Sequence, residues 1–210
     1  NVVMDKDPET DISDALGGRP TLIEAGSVCG ATRPRLFWTN FEIRPTAGEV
    51  LERTGNRNKL KLVPTPMAQK LDFWDEGWGP HPNFRHNYPC IVGWEYRSAE
   101  PRDPRGKYDA SAEALERWKE DHWATGIRFY EDVNMAWSKT AEGISRPASP
   151  TECERMLGFP PKWTEPAGPI PGYVPHRMQY TRKNAVGNAF AVPVIARLLS
   201  ALVAVISVPD

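Results

Sequence analysis

Apolar runs near the N-terminus predict strands of a buried sheet. The segments TLIEAG (21–26) and RLFWTNF (35–41) are apolar with little alternation, which is typical of strands covered on both faces, as in an α/β sheet. The run NVVM (1–4) is compatible with the end of another such strand. Between them, DISDAL (11–16) is followed by two glycines and predicts a short helix capped by Asp11.

Regular patterns return in the C-terminal third of the chain. The segment SPTECERMLGFP (149–160) carries the strongest helix start in the sequence. Ser149 suits the N-cap, and Pro150 suits the first helical position. Glu152 completes an S-x-x-E capping box, and Gly158 is placed to end the helix.

The final apolar segment predicts a buried helix rather than a membrane span. Residues 189–209 are almost entirely apolar, but Pro193 and Arg197 interrupt the run. A spanning helix needs about 20 consecutive apolar residues, so we expect no membrane partner. The preceding stretch, PAGPIPGYVP (166–175), is incompatible with regular structure.

The composition changes between residues 46 and 148, which indicates an insertion with its own small fold. Residues 46–110 are rich in Pro, Gly, Asn and Trp, and strand signals such as YPCIVGWEY (88–96) are short and irregular. The segment SAEALERWKEDHW (111–123) predicts a helix with Ser111 as its cap.

Overall charge does not indicate a nucleic-acid binder, but one local cluster does. The chain has 210 residues, a hydrophobic content of 40% and a net charge of −1, which suits one medium domain or two small ones and no global basic field. Four cations nevertheless fall within nine residues that contain no acid: Arg53, Arg57, Lys59 and Lys61. Such a cluster is either a nucleic-acid contact or a solvated loop.

The cysteines exclude two further classes. Cys29, Cys90 and Cys153 are widely spaced and form no CxxC pair, so neither a disulfide framework nor a metal site is indicated. We expect a reducing, intracellular environment. The N-terminus lacks the pattern of a signal peptide and does not begin with Met, so we expect that the chain is cut from a longer protein.

Four blocks follow one another along the chain: NVV (1–3), ATRPRLFWTN (31–40), PTECERMLGFP (150–160) and AVGNAFAVPVI (185–195). In this order they resemble the last four conserved blocks of the C5-cytosine methyltransferases, most closely the eukaryotic de novo DNA methyltransferase type. The resemblance implies a Rossmann-like α/β methyltransferase core, of which this chain holds the C-terminal strands and helices. A small mixed target-recognition insertion would interrupt that core. The implied division is residues 1–45, core; 46–148, insertion; and 149–210, return of the core.

The resemblance also implies covalent catalysis on a flipped cytosine. In the family a thiolate adds at C6, and charge then builds on N3 and O2 of the ring. Arg35 matches the family residue that reaches O2, and Arg33 matches the one that helps to hold the site. Asn1 would follow the catalytic glutamate and help to hold its loop. That glutamate, the Pro-Cys nucleophile block and the glycine-rich cofactor loop have no match among these residues.

Asn188, Ala189 and Phe190 match the family turn that lines the S-adenosyl-L-methionine pocket. Phe190 replaces a Trp, which keeps a packing face but loses an N–H donor, and Ala189 replaces a Ser. Pro89-Cys90 resembles the nucleophile dipeptide but follows the arginine block, so we interpret Cys90 as strand packing. Glu152 and Arg155 are expected to brace the core or the insertion.

Together these features predict the C-terminal part of a nuclear enzyme that methylates C5 of cytosine in DNA, with S-adenosyl-L-methionine as cofactor. DNA would be its partner, and a homo- or hetero-oligomer with another methyltransferase chain is a further expected assembly. Two alternatives stay open: a tRNA cytosine-5 methyltransferase of the same superfamily and a catalytically inactive regulatory homologue. A rearranged chain, in which the remaining blocks follow residue 210, is a third. We expect these 210 residues alone to be inactive.

Overall fold

A computed structural model describes residues 6–65, 73–84, 110–121, 127–168, 171–172 and 175–206. These residues form a mixed α/β fold, which confirms the predicted class at that level. The helices are α1 (Lys6–Leu16), α2 (Ala112–Glu120), α3 (Pro150–Met156), α4 (Pro175–Asn188) and α5 (Val192–Ile206). The strands are β1 (Thr21–Glu24), β2 (Pro34–Phe37), β3 (Val50–Thr54), β4 (Arg57–Lys61), β5 (Trp78–Pro80), β6 (Ala136–Ser138) and β7 (Ser145–Arg146).

The larger sheet has the strand order β2-β1-β4-β3. Strand β1 runs antiparallel to β2 and parallel to β4, and β3 and β4 form a hairpin. Strands β3 and β4 follow residue 46, so strands on both sides of the predicted domain boundary share one sheet. The division at residues 46 and 148 stays a prediction. A second, antiparallel sheet has the order β5-β6-β7.

Helices lie against both faces of the larger sheet. On one face, Glu9 of α1 binds Arg57 of β4 through two hydrogen bonds of 3.1 and 2.5 Å. Ser13 of α1 accepts a hydrogen bond from the indole of Trp38, at 3.1 Å. The other face joins α5 in an apolar cluster whose buried members are Ile23, Ala25, Val28, Cys29, Ile43, Leu60, Leu62, Ala191, Val194 and Leu198. This covering agrees with the continuous apolar runs that predicted β1 and β2.

Arg197, the charged residue within α5, makes a tertiary contact. Arg197 donates two hydrogen bonds to Glu49, at 2.8 and 2.7 Å, and a third to the carbonyl of Arg44. The guanidinium holds the pKa of the Glu49 carboxyl below its usual value. Hence α5 is tied to the loop before β3 as well as to the apolar cluster. Within the described residues, no helix combines the length and hydrophobicity that a membrane crossing requires.

Helix α3 begins as its sequence predicts. Ser149 accepts a hydrogen bond from the Glu152 amide at 3.1 Å, and Glu152 accepts one from the Ser149 amide at 2.6 Å. Gly158 follows the helix with φ of 82°, a conformation that favours glycine. A Cβ at Gly158 would lie 2.7 Å from Pro193 Cδ, so the end of α3 packs directly on the start of α5.

Two fully buried carboxylates of α3 connect it to the rest of the chain. Glu152 binds the Arg146 guanidinium of β7 at 2.8 and 2.9 Å and the Asp75 amide at 2.9 Å. Arg155 also binds Asp75, at 2.7 Å. Glu154 accepts hydrogen bonds from residues 163 and 164 and from Arg182 of α4. The expectation that Glu152 and Arg155 act as braces is confirmed by these contacts.

Several local predictions need correction. Helix α1 already includes Lys6, so Asp11 lies inside the helix and is not its N-cap. Helix α4 includes Pro175, so the last residue of the stretch 166–175 is helical rather than irregular. The segment 1–4 and the strand proposed at 88–96 lie outside the described residues. The helix predicted from Ser111 is confirmed, with the Ser111 hydroxyl accepting from the Ala114 amide at 3.1 Å.

We predict that Glu152→Gln destabilises the protein by about 2 kcal/mol. The substitution removes the charge closest to Arg146 and leaves this guanidinium with only the longer pair to Asp75, at 3.4 Å. The cost stays below that of a fully buried pair because the Arg146 side chain is 27% exposed. Urea unfolding measures the difference. The control is Glu116→Gln on the exposed side of α2, and equal unfolding free energies for both variants would refute the prediction.

Candidate active-site cleft

A cleft opens where β2 meets the junction of α4 and α5. It has a volume of about 320 Å³ including its open mouth, and it is lined by Ile23, Ala25, Arg33, Arg35, Phe37, Ala189, Phe190, Ala191 and Val194. Four of these residues were singled out from the sequence: Arg33, Arg35, Ala189 and Phe190. The fold therefore brings the arginine block and the C-terminal turn to one place, although they are far apart in the chain.

Arg33 is the structural link between these two segments. Its side chain is almost completely buried, and Nη2 donates to the carbonyls of Gly187, at 3.0 Å, and Ala189. These carbonyls lie at the end of α4, where backbone acceptors have no partner within the helix and the dipole favours a cation. Arg33 therefore caps α4 and holds the turn 187–190 against the sheet.

Glu24 holds the arginine block from the opposite side. Its Oε1 accepts hydrogen bonds from the amide of Arg33, at 2.6 Å, and from the amide of Gly26, at 3.0 Å. These bonds close the turn between β1 and β2 and set the point at which β2 begins. No sequence signal singled out Glu24, because one acid at a strand end is a common feature of surface loops.

Arg35 differs from Arg33 in its exposure. It lies within β2, in register with Ile23, on the face of the sheet that α5 covers. Its side chain is half-buried at the cleft, and Nη1 donates to the carbonyl of Pro34 at 2.8 Å. Arg33 and Arg35 both line the cleft. Arg35 keeps the more accessible guanidinium of the two.

The C-terminal turn presents an aromatic ring at the mouth of the cleft. Phe190 is 50% exposed and lies 5.8 Å from Phe159, measured between ring centroids. Asn188 is exposed as the last residue of α4. Asn1 lies outside the described residues, so its role stays a prediction.

The described cysteines are poor nucleophiles. Burial raises the pKa of the Cys29 thiol to about 12 and that of the Cys153 thiol to about 12 as well. Both thiols are therefore protonated at neutral pH, which agrees with their interpretation as packing residues. Cys90 lies outside the described residues.

The basic cluster on β3 and β4 is interleaved with acids in three dimensions. Arg57 binds Glu9, and Lys61 binds Glu52. Residue Lys59 stands in register with Glu52, so it shares a face with that carboxylate.

Because side chains alternate between the two faces of a strand, Arg53 lies on the other face of the sheet from the remaining three cations. Arg53 pairs in register with Asn58, which points to the opposite face from Lys59. The four cations therefore do not form one continuous surface. Exposed cations remain at Arg53, Lys59 and Lys61. Within the described ranges, no group of His, Cys, Asp and Glu is placed to hold a metal ion.

No family model matches the sequence, and no curated protein is significantly similar to it.

We predict that Cys29 and Cys153 resist alkylation in the folded protein. Because the thiolate is the reactive species, a pKa of about 12 slows alkylation at pH 8 by at least about a hundredfold relative to the unfolded chain. Iodoacetamide labelling followed by peptide mass spectrometry, with and without urea, measures each cysteine separately. Rapid labelling of either residue in the absence of urea would contradict the prediction.

Proposed function

We propose that the protein is the C-terminal part of an S-adenosyl-L-methionine-dependent methyltransferase with a Rossmann-like core, acting on C5 of cytosine in DNA. The single observation that supports it best is the convergence of Arg33 and Arg35 with Ala189 and Phe190 in one cleft. The resemblance assigned these residues to substrate and cofactor from separate blocks. Their meeting in space is what one shared site requires.

The two arginines would have different tasks at this site. Arg35 has an accessible guanidinium, so it would donate to O2 of the flipped cytosine and offset the charge that develops there. Arg33 is committed to the carbonyls of Gly187 and Ala189, so it would act as a positioning residue. By holding the turn 187–190, it would keep the cofactor side of the cleft at a constant distance from Arg35.

The cleft would contact one part of the cofactor. Phe190 offers a half-exposed aromatic face to an adenine ring, and S-adenosyl-L-methionine would supply the methyl group. A positively charged sulfonium would be repelled by Arg35, so the proposal places the donor on the Phe190 side of the cleft. The nucleophile and the acid at N3 would come from sequence blocks outside these 210 residues, and we propose that the 210 residues alone are inactive.

The alternatives differ in substrate or in activity. A tRNA methyltransferase would use the same cleft on a different nucleic acid, and a regulatory homologue would keep Arg33 as a structural cap without needing Arg35. The high thiol pKa values of Cys29 and Cys153 mean that neither of them replaces the missing nucleophile. Nuclear localisation and assembly with another methyltransferase chain remain part of the proposal.

We predict that Arg35→Ala lowers methyl transfer by the full-length enzyme about a hundredfold or more. That magnitude is typical of losing one positioned donor at a developing negative charge. DNA affinity should change little, because phosphate contacts dominate it. Tritium transfer from labelled cofactor to cytosine DNA and to tRNA measures the effect and identifies the substrate. The control is Arg44→Ala, which removes an exposed guanidinium outside the cleft; equal loss in both variants would refute the role of Arg35.

We predict that Lys59→Glu weakens DNA binding on every sequence and reduces its salt dependence. An exposed cation that contacts a phosphate releases counterions without reading bases, and each lost contact lowers the salt slope by about one. Arg57 is unsuited to this test, since its reversal also breaks the pair with Glu9. Lys119→Glu on the exposed side of α2 serves as the charge-matched control. A loss confined to one DNA sequence would show base reading instead.

A further inference from the structure

A row of three aromatic rings leads from solvent into the cleft. The indole of Trp163 is 63% exposed and stacks on Phe159, with centroids 6.2 Å apart and an interplanar angle of 25°. Phe159 in turn contacts Phe190 at 5.8 Å and 44°. Since Phe190 lines the cleft, the row is continuous with the proposed active site.

Glu154 of α3 anchors the loop that carries Trp163. The fully buried carboxylate of Glu154 accepts hydrogen bonds from the amides of Trp163, at 3.1 Å, and Thr164, at 2.9 Å, and from Arg182, at 3.0 Å. Burial alone would raise the pKa of Glu154, but the hydrogen bonds from Thr164 and Arg182 keep this pKa below its usual value. The anchor is therefore charged at neutral pH, and it holds the backbone at residues 163 and 164 in place.

The same loop contains backbone strain. Lys162 has φ of 66°, which makes it the only non-glycine residue with positive φ in the described part of the chain. A left-handed conformation costs a non-glycine residue about 1–2 kcal/mol, and such strain persists where the surrounding structure enforces it, often at binding sites. Trp163 follows this residue directly, is 63% exposed and packs one part of its ring on Phe159. Most of the Trp163 surface therefore faces solvent rather than the core.

We propose that Trp163, Phe159 and Phe190 form a stacking platform for an unpaired nucleobase of the nucleic-acid substrate, beside the cleft. This inference rests on the proposed function. Every base has a π-face that stacks on aromatic rings. The Lys162 side chain is 72% exposed and lies 3.8 Å from the Glu165 carboxylate, measured from Nζ to Oε2, so a phosphate would compete with that exposed pair.

The size of the platform favours a base over a protein. The loop neighbours of Trp163 are proline or polar residues: Pro160, Pro161, Lys162, Thr164 and Glu165. The exposed apolar area in this loop comes from the aromatic rings and from Pro160 and Pro161. A stable protein interface usually buries about 800 Å² on each partner, which is more than three aromatic rings and two prolines supply. A nucleobase covers one or two rings, and removing a cytosine from the duplex leaves unpaired bases next to the active site.

The test compares single-stranded oligonucleotides with and without an abasic site, bound to the full-length protein and followed by fluorescence anisotropy. Trp163→Ala should weaken binding of the intact strand about 5- to 100-fold, which corresponds to the stacking energy of a base on an aromatic ring. Trp163→Phe should retain most of the affinity. Leu16→Ala, which removes an equally exposed apolar side chain of 63%, should have no effect. The abasic strand should bind the wild type as weakly as it binds Trp163→Ala.

Each other outcome refutes the platform, and the outcomes separate it from the proposed function. If Trp163→Ala binds the intact strand as the wild type does, the platform is refuted while DNA binding stands. If the wild type binds neither strand nor duplex, the platform and the proposed DNA partner both fail. If Trp163→Ala instead changes the sedimentation mass without changing affinity, the rings form a protein interface and the nucleobase proposal is wrong.

Discussion

The buried charge of helix α3 is the constraint on which the described structure depends. Glu152 and Glu154 are both fully buried, and a buried carboxylate is tolerated only if its oxygens are paired. Glu152 accepts hydrogen bonds from Arg146 and from the Asp75 amide. Glu154 accepts hydrogen bonds from Arg182 and from the loop 163–164. One short helix thereby joins the smaller sheet, the loop at 73–75 and α4. Loss of either carboxylate would leave several donors unpaired at once.

This junction also determines the geometry of the cleft. The end of α3 at Gly158 packs on Pro193, and the Val192 amide donates to the Leu157 carbonyl at 2.8 Å. The start of α5 is thus fixed by α3, and the preceding turn must cross from α4 to α5 within a few residues. Arg33 binds the carbonyls of that turn from the sheet side. The cleft between Arg35 and Phe190 is the space that these two attachments leave open.

The same architecture separates a rigid part of the site from an accessible part. The side chains of Arg33 and Glu24 form hydrogen bonds with backbone groups and hold β1, β2 and the turn 187–190 together. Arg35, Phe190 and Trp163 keep substantial exposure. Positioning residues that are locked by packing, with exposed groups mounted on them, are what a precise binding site needs.

Features governed by local interactions were predictable from the sequence alone. The capping box at Ser149, the cap at Ser111 and the positive φ at Gly158 involve residues within a few positions of one another, so composition and spacing determine them. The two apolar strands were predictable because their burial leaves a continuous pattern. Of the candidate cleft, Arg33, Arg35, Ala189 and Phe190 were singled out from the sequence only through the resemblance.

Tertiary structure decided the features that depend on distant partners. The basic cluster of β3 and β4 contains no acid in sequence, yet Glu9 reaches Arg57 from α1, and strand alternation turns Arg53 away from Lys59. The role of Glu24 could not be predicted, because its hydrogen-bond partner is nine positions away across a turn. That Arg33 would cap α4 could not be predicted for the same reason: a sequence specifies which groups can pair, and only the folded chain specifies which of them meet.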